Sequence, residues 1–132
     1  MIIAVTGGRD YADRQQVAAT LSRLPIHLLI HGAASGADTL AAEWAEETGI
    51  AVKACPADWD DIDTPPVRIG VTSTGKPYNK LAGFARNVAM LESGVDALVV
   101  FPGGKGTAHC HREAVKRGIP IIHPEPPTGD PQ

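Results

Sequence analysis

Two short glycine turns in this chain have the composition of anion-binding loops. One is Phe101-Pro102-Gly103-Gly104-Lys105-Gly106-Thr107, which ends an apolar run and leads into a helix-compatible stretch. The other, Thr6-Gly7-Gly8-Arg9-Asp10, directly follows the first apolar run. Such a turn leaves backbone N–H groups unpaired at a helix N-terminus, where the helix dipole favours negative charge. Glycines allow a phosphate to approach the main chain without meeting a Cβ. An ordinary strand-to-helix turn explains one such segment equally well; two of them favour the anion reading. Neither is a Walker A loop, because Lys105 is followed by Gly106, and no Gly-x-Gly-x-x-Gly fingerprint follows the first strand.

Several side chains have types that would complete an anion site. Arg9 and Arg86 offer planar forks of donors for phosphate or ribose, with surface ion pairs to Asp10 or Asp38 as the structural alternative. Ser35 and Thr107 are hydroxyl donors for phosphate, each equally explained as a helix cap. Asp38 suits a ribose hydroxyl, but Ser35-x-x-Asp38 also fits a capping box. His31 is better read as hydrogen-bonded in a turn than as a proton-transfer group. Trp59 offers a surface on which a base stacks, whereas Trp44 suits packing between helix and sheet. Lys105 is the most exposed side chain expected on the second turn. No metal is expected at His109-Cys110-His111, since consecutive helical residues diverge by about 100° and cannot converge on one tetrahedral ion.

The elements that must position these residues follow from hydrophobic patterning. Continuous apolar runs at Ile2–Val5, His27–Ile30, Ile50–Ala54, Ala97–Phe101 and Ile119–Ile122 read as strands buried on both faces, hence a parallel sheet. Helical spacing covers Asp13–Leu24, Ala37–Thr48, Asn79–Ser93 and Thr107–Arg117, with Gly49 and Gly94 as stops. The alternation predicts a Rossmann-like α/β open sheet with helices on both faces. Right-handed crossovers favour strand order 3-2-1-4-5, which places the two glycine turns side by side at the switch point. The segment 56–78 breaks the rhythm; Val67–Thr72 and Gly75–Tyr78 suit a small hairpin, so this segment reads as a lid or a partner contact. Positions 1–123 are expected to form a single domain, followed by a disordered proline-rich tail at 124–132.

Bulk composition narrows the function classes. The chain has 132 residues, with 43% hydrophobic, 20% charged and only 5% aromatic. Twelve basic against fifteen acidic residues give a net charge of -3, which argues against coating duplex DNA. Two cysteines, Cys55 and Cys110, suggest no disulfide framework and a reducing, cytoplasmic setting. Neither a signal peptide nor a membrane helix is expected.

Thr6-Gly7-Gly8-Arg9-Asp10-Tyr11, His31-Gly32-Ala33-Ala34-Ser35-Gly36-Ala37-Asp38, Ala57-Asp58-Trp59, Gly83-x-x-Arg86-Asn87-x-x-Met90 and Phe101-Pro102-Gly103-Gly104-x-Gly106-Thr107 occur in an order and spacing that resembles the YspA-type branch of the SLOG superfamily. That superfamily also holds the LOG phosphoribohydrolases, once called lysine decarboxylases, and DprA-like proteins. The resemblance implies a nucleotide or nucleotide-derived ligand at the switch-point crevice, with phosphate on Gly103, Gly104, Gly106 and Thr107. Gly7, Gly8 and Arg9 would stand opposite, with Arg86 and Asp38 approaching the ribose or base. No cofactor is implied. Family members often dimerise, so a homodimer is an expected partner. In LOG enzymes this motif carries a catalytic glutamate and the preceding helix an Arg-Lys pair. Here Cys110 stands at the glutamate position and Asn87 at that of the lysine, leaving Arg86 and, one turn on, Glu113 as the remaining catalytic candidates. A sensor or binding module is therefore the expected function, an N-glycosidic hydrolase or transferase the alternative. A role on single-stranded nucleic acid is disfavoured by the acidic balance and scarce aromatics.

Overall fold

In the computed structural model, which describes residues 1–124, β1 (Ile2–Thr6), β2 (Leu28–His31), β3 (Ala51–Ala54), β6 (Ala97–Val100) and β7 (Ile121–Ile122) form one sheet. All its neighbours run parallel, in the order β3-β2-β1-β6-β7. The predicted order 3-2-1-4-5 needs amending in its count. A separate antiparallel hairpin, β4 (Ile69–Val71) and β5 (Pro77–Asn79), contributes two strands before the chain returns to the main sheet. The crossover to the far side of β1 occurs as expected, so β1 and β6 are adjacent.

Successive strand residues face opposite ways, so each strand feeds two cores. Ile3 and Val5 of β1, with Leu29, Ala97 and Val99, pack against α1 (Arg14–Leu21) and α2 (Ala37–Glu47). Ala4, with Ile30 and Leu98, packs against α3 (Ala82–Glu92) and α4 (Lys105–Lys116). Ala37, Ala41 and Ala45 form the buried stripe of α2, small enough for the helix to lie close on the sheet. Trp44 packs at the margin of this core, as expected from its helical position. Deleting a buried leucine such as Leu98 from so continuous a core costs roughly 2–5 kcal/mol.

Element ends differ from expectation by a turn or less, and the differences have local causes. Asn79 belongs to β5, and its side-chain oxygen accepts the N–H of Leu81 at 2.9 Å, so α3 starts at Ala82. The helix after β6 begins at Lys105, two residues early, with Gly104 as its N-cap. Gly49 stops α2 with φ +78°, a conformation that costs other residues strain. The predicted tail at 124–132 lies outside the described residues beyond Pro124. Among the described residues, no helix is long and apolar enough to cross a membrane.

Candidate functional site

A cleft of about 710 Å³ opens where the loops after β1 and β6 leave the C-terminal edge of the sheet. Backbone contacts join the loops of three strands at its floor. Gly8 N–H donates to the Pro102 carbonyl at 2.8 Å, and the Gly8 carbonyl accepts from Ala37 N–H at 3.1 Å and Tyr11 N–H at 3.3 Å. Gly36 has φ +74°, and a Cβ there would strike the carbonyls of Gly8 and Arg9. At Gly103 a Cβ would collide with the Thr107 hydroxyl and crowd Gly8 N. The close fit of Gly7, Gly8 and Gly103 is thus demanded by the protein itself. Gly104 and Gly106 differ: a Cβ at either would meet no protein atom within 4 Å, and both border the cleft.

Arg86 approaches from α3. Its Nη1 donates to the Gly32 carbonyl and its Nε to Asn87 Oδ1 at 2.9 Å. Two of its five donors are so used, and the guanidinium lines the cleft. Buried Asn87 donates in turn to the Gly106 carbonyl at 3.2 Å, tying Arg86 to the second glycine turn. Asn87 belongs to the Gly83-x-x-Arg86-Asn87-x-x-Met90 motif and departs from the LOG Arg-Lys pair; that it ties Arg86 to the Gly106 carbonyl is visible only in the fold.

Asp38 lines the cleft but does not make the predicted capping box. Gly36 is the N-cap of α2 and no side chain caps it. The Asp38 carboxylate instead accepts from Gly32 N–H at 3.0 Å and Ala34 N–H at 3.3 Å, because the loop folds back over the first turn of the helix. Burial raises its pKa, opposed by those two bonds and by attraction to His31 and Arg86. Ser35 caps nothing: its hydroxyl donates to the Arg9 carbonyl at 3.4 Å, and it borders a side hollow rather than the main cleft. Thr107 is buried inside the first turn of α4 and borders the cleft, but it is not a cap either. His31 is hydrogen-bonded in a turn, its Nδ1 accepting from Ala33 N–H at 2.9 Å.

Glu113, the weak catalytic candidate, is directed elsewhere. Its carboxylate pairs with Arg117 at 2.9 Å and Lys116 at 3.3 Å, which hold its pKa below the ordinary value. It does not line the cleft, because its carboxylate is drawn to Arg117 and Lys116 one turn further along α4. Cys110 is fully buried, and burial pushes its thiol up to about 11 despite a hydrogen bond with Thr6. A neutral, buried thiol cannot take the part of a carboxylate. His109 stacks on Phe84, ring centroids 4.1 Å apart, and burial lowers its pKa. Among the described residues no cluster of three His, Cys, Asp or Glu could hold a metal.

Arg9 and Trp59 form the opposite wall, with the guanidinium 5.9 Å from the indole centroid. Trp59 also covers Gly83 of α3. Arg9 and Lys105 make no ion pair among the described residues.

Residues 1–61, which hold the first glycine turn and Asp38, match the profile of the YspA, cpYpsA-related SLOG family. The Gene 61 protein of Mycobacterium phage D29 is 35% identical over 133 aligned positions, spanning 92% of this chain and 94% of that protein. The chain belongs to the YspA, cpYpsA-related SLOG family. Its fold is shared by DNA processing protein A (DprA) from Streptococcus pneumoniae, with a TM-score of 0.68 at 17% identity over 92% of this chain. The chain spans about half of that larger protein, 49% of its length. TM1055 has the same fold, with a TM-score of 0.63 at 21% identity, covering 92% of this chain and 72% of TM1055. The two structures show the fold that this SLOG chain shares.

Proposed function

We propose that this SLOG protein binds a nucleotide or nucleotide-derived metabolite in the cleft and does so as a sensor or binding module. The observation that carries the reading is the convergence of Gly104 and Gly106, open on their outer side, with the guanidinium of Arg86 across the β1–β6 switch point. An N-terminal helix turn with accessible N–H groups favours a phosphate, and an adjacent planar cation supplies paired donors to its oxygens or to ribose. Arg9 and Lys105 add positive charge at the rim, while Thr107 supplies a hydroxyl from below. Binding without turnover is supported by the site's chemistry: Glu113 is engaged with Arg117, and Cys110 is held as a neutral thiol.

A thermal-shift series with nucleoside mono-, di- and triphosphates, followed by analysis of each recovered ligand, tests this. The expected result is a concentration-dependent rise in Tm with the ligand intact. Arg86→Ala should abolish that rise. Release of free base would establish the N-glycosidic alternative instead, and the absence of any shift would overturn nucleotide binding.

A further inference from the structure

The cleft does not end at the Arg9–Trp59 wall. A second cavity of about 500 Å³ lies beyond it, under the β4–β5 hairpin, and Arg9, Trp59 and Lys80 border both spaces. The two are lobes of one depression joined across these three side chains. We infer that the second lobe is a subsite for the distal half of a 5′-phosphorylated dinucleotide, whose 5′-phosphate sits on the Gly104–Gly106 turn. This inference rests on the proposed nucleotide reading and names its ligand class.

The chemistry of the second lobe suits a second nucleoside and its phosphate link. Arg9, Lys76 and Lys80 border it against a single carboxylate, Asp60, which pairs with Lys76 at 3.1 Å. Among the described residues Lys80 makes no ion pair, so positive charge is concentrated where the lobes meet, at the place of a bridging phosphate. Trp59 and Tyr78 border the same space and provide aromatic surfaces for a base, an interaction that tolerates any base identity. The chain has only six Phe, Trp and Tyr residues, so two at one small lobe are a concentration.

The lobe is also a constructed feature. Gly70 is buried opposite Tyr78 in the hairpin register, and a Cβ there would strike the Tyr78 ring and the Lys80 stem. Its missing side chain lets both lie across the hairpin face. Buried Asn79 fixes the base of the hairpin. Its amide donates to the Pro66 carbonyl at 3.1 Å, and its oxygen accepts from Arg68 N–H at 3.1 Å and Leu81 N–H at 2.9 Å. Asn79 N–H donates to the Trp59 carbonyl at 2.7 Å, so the hairpin and the shared aromatic wall are placed by one residue.

The test is titration calorimetry of the full chain with AMP, the 5′-phosphorylated diadenosine dinucleotide pApA, and a 5′-phosphorylated hexa-adenylate. One stacked base with its phosphate should make pApA bind about tenfold tighter than AMP. Lys76→Glu and Tyr78→Leu, which alter only the second lobe, should each remove most of that increment while leaving AMP affinity within about twofold. Tyr78→Leu keeps an apolar body over Gly70, and Lys76 is exposed, so one variant remains informative if the other fails to fold. Equal affinity for AMP and pApA overturns the subsite, as does an increment that survives both variants. A further gain of similar size for the hexa-adenylate would replace the dinucleotide subsite with an open strand-binding groove. Failure of AMP and of the nucleoside phosphates of the thermal-shift series to bind would overturn the underlying nucleotide reading, a result distinct from the others.

Discussion

The floor of the cleft and its hairpin side are held by different means. On the floor, loops from β1, β2 and β6 meet through main-chain atoms, with Gly8 bonded to Pro102, Ala37 and Tyr11. The hairpin side is gathered largely by one side chain, Asn79, whose amide joins Pro66, Arg68 and Leu81, beside main-chain bonds from Asn79 N–H to Trp59 and from Lys80 N–H to Arg68. Main-chain stitching tolerates almost no added atom, yet it is indifferent to most side chains. A side-chain knot is the reverse: the surrounding sequence is open to change, while one residue is essential. The floor is therefore the part that admits no added atom at Gly7, Gly8 or Gly103, and the hairpin the part that depends on Asn79.

Substitutions at matched positions should separate these two modes. The largest effect is expected at Gly103→Ala, whose Cβ collides with Thr107 and crowds Gly8 N; a loss of about 3 kcal/mol should appear in urea denaturation. A near-neutral result would mean that the floor adjusts more readily than its contacts imply. Asn79→Ala comes next, with a loss of about 2 kcal/mol as buried backbone groups of the hairpin lose their partner. It should also speed proteolysis between β3 and α3, and unchanged cleavage there would count against the single-knot description.

Gly106→Ala should act in the opposite sense on stability. Its Cβ meets no protein atom and alanine favours helix, so about 0.5 kcal/mol is gained while nucleotide affinity falls. Gain in both quantities would remove Gly106 from the proposed phosphate turn. The mildest change is Asp38→Asn, since an amide oxygen can still accept from Gly32 and Ala34. The folded-state pKa of Asp38 is raised above 3.8, so the protonated carboxyl is the form the fold prefers. Its contribution is fully present below 3.8 and is lost as pH rises through the raised value. The stability of the wild type relative to Asp38→Asn should accordingly decline with rising pH, measured by denaturant titrations across that window. A relative gain with pH would show that attraction to Arg86 outweighs burial.

Much of the architecture could be read from residue order. Unbroken apolar runs such as Ala97–Val100 announced strands covered on both faces, and helices between them required parallel crossovers. The adjacency of β1 and β6, hence the pairing of the two glycine turns, follows from that topology. The hairpin was legible from Val67–Thr72 and Gly75–Tyr78, and its strands form as β4 and β5. Local signals were least dependable where one residue had two uses. Ser35-x-x-Asp38 has the spacing of a cap, but Asp38 turns back to the Gly32–Ala34 loop. Glu113 lies one helical turn beyond Cys110, but its i+3 and i+4 neighbours Lys116 and Arg117, a helical pairing legible in the sequence, occupy its carboxylate.

Sequence by itself determined the sheet, its crossover and the chemical types gathered at its C-terminal edge. Those depend on periodicity, chirality and turn stereochemistry, all of which act over a few neighbouring residues or on every chain alike. Tertiary structure alone decided which glycines serve packing and which face open space, which donors of Arg86 are committed, and that Asn87 links Arg86 to the Gly106 carbonyl. These are outcomes of side chains distant in sequence competing for the same few ångströms, and no local pattern records who prevails.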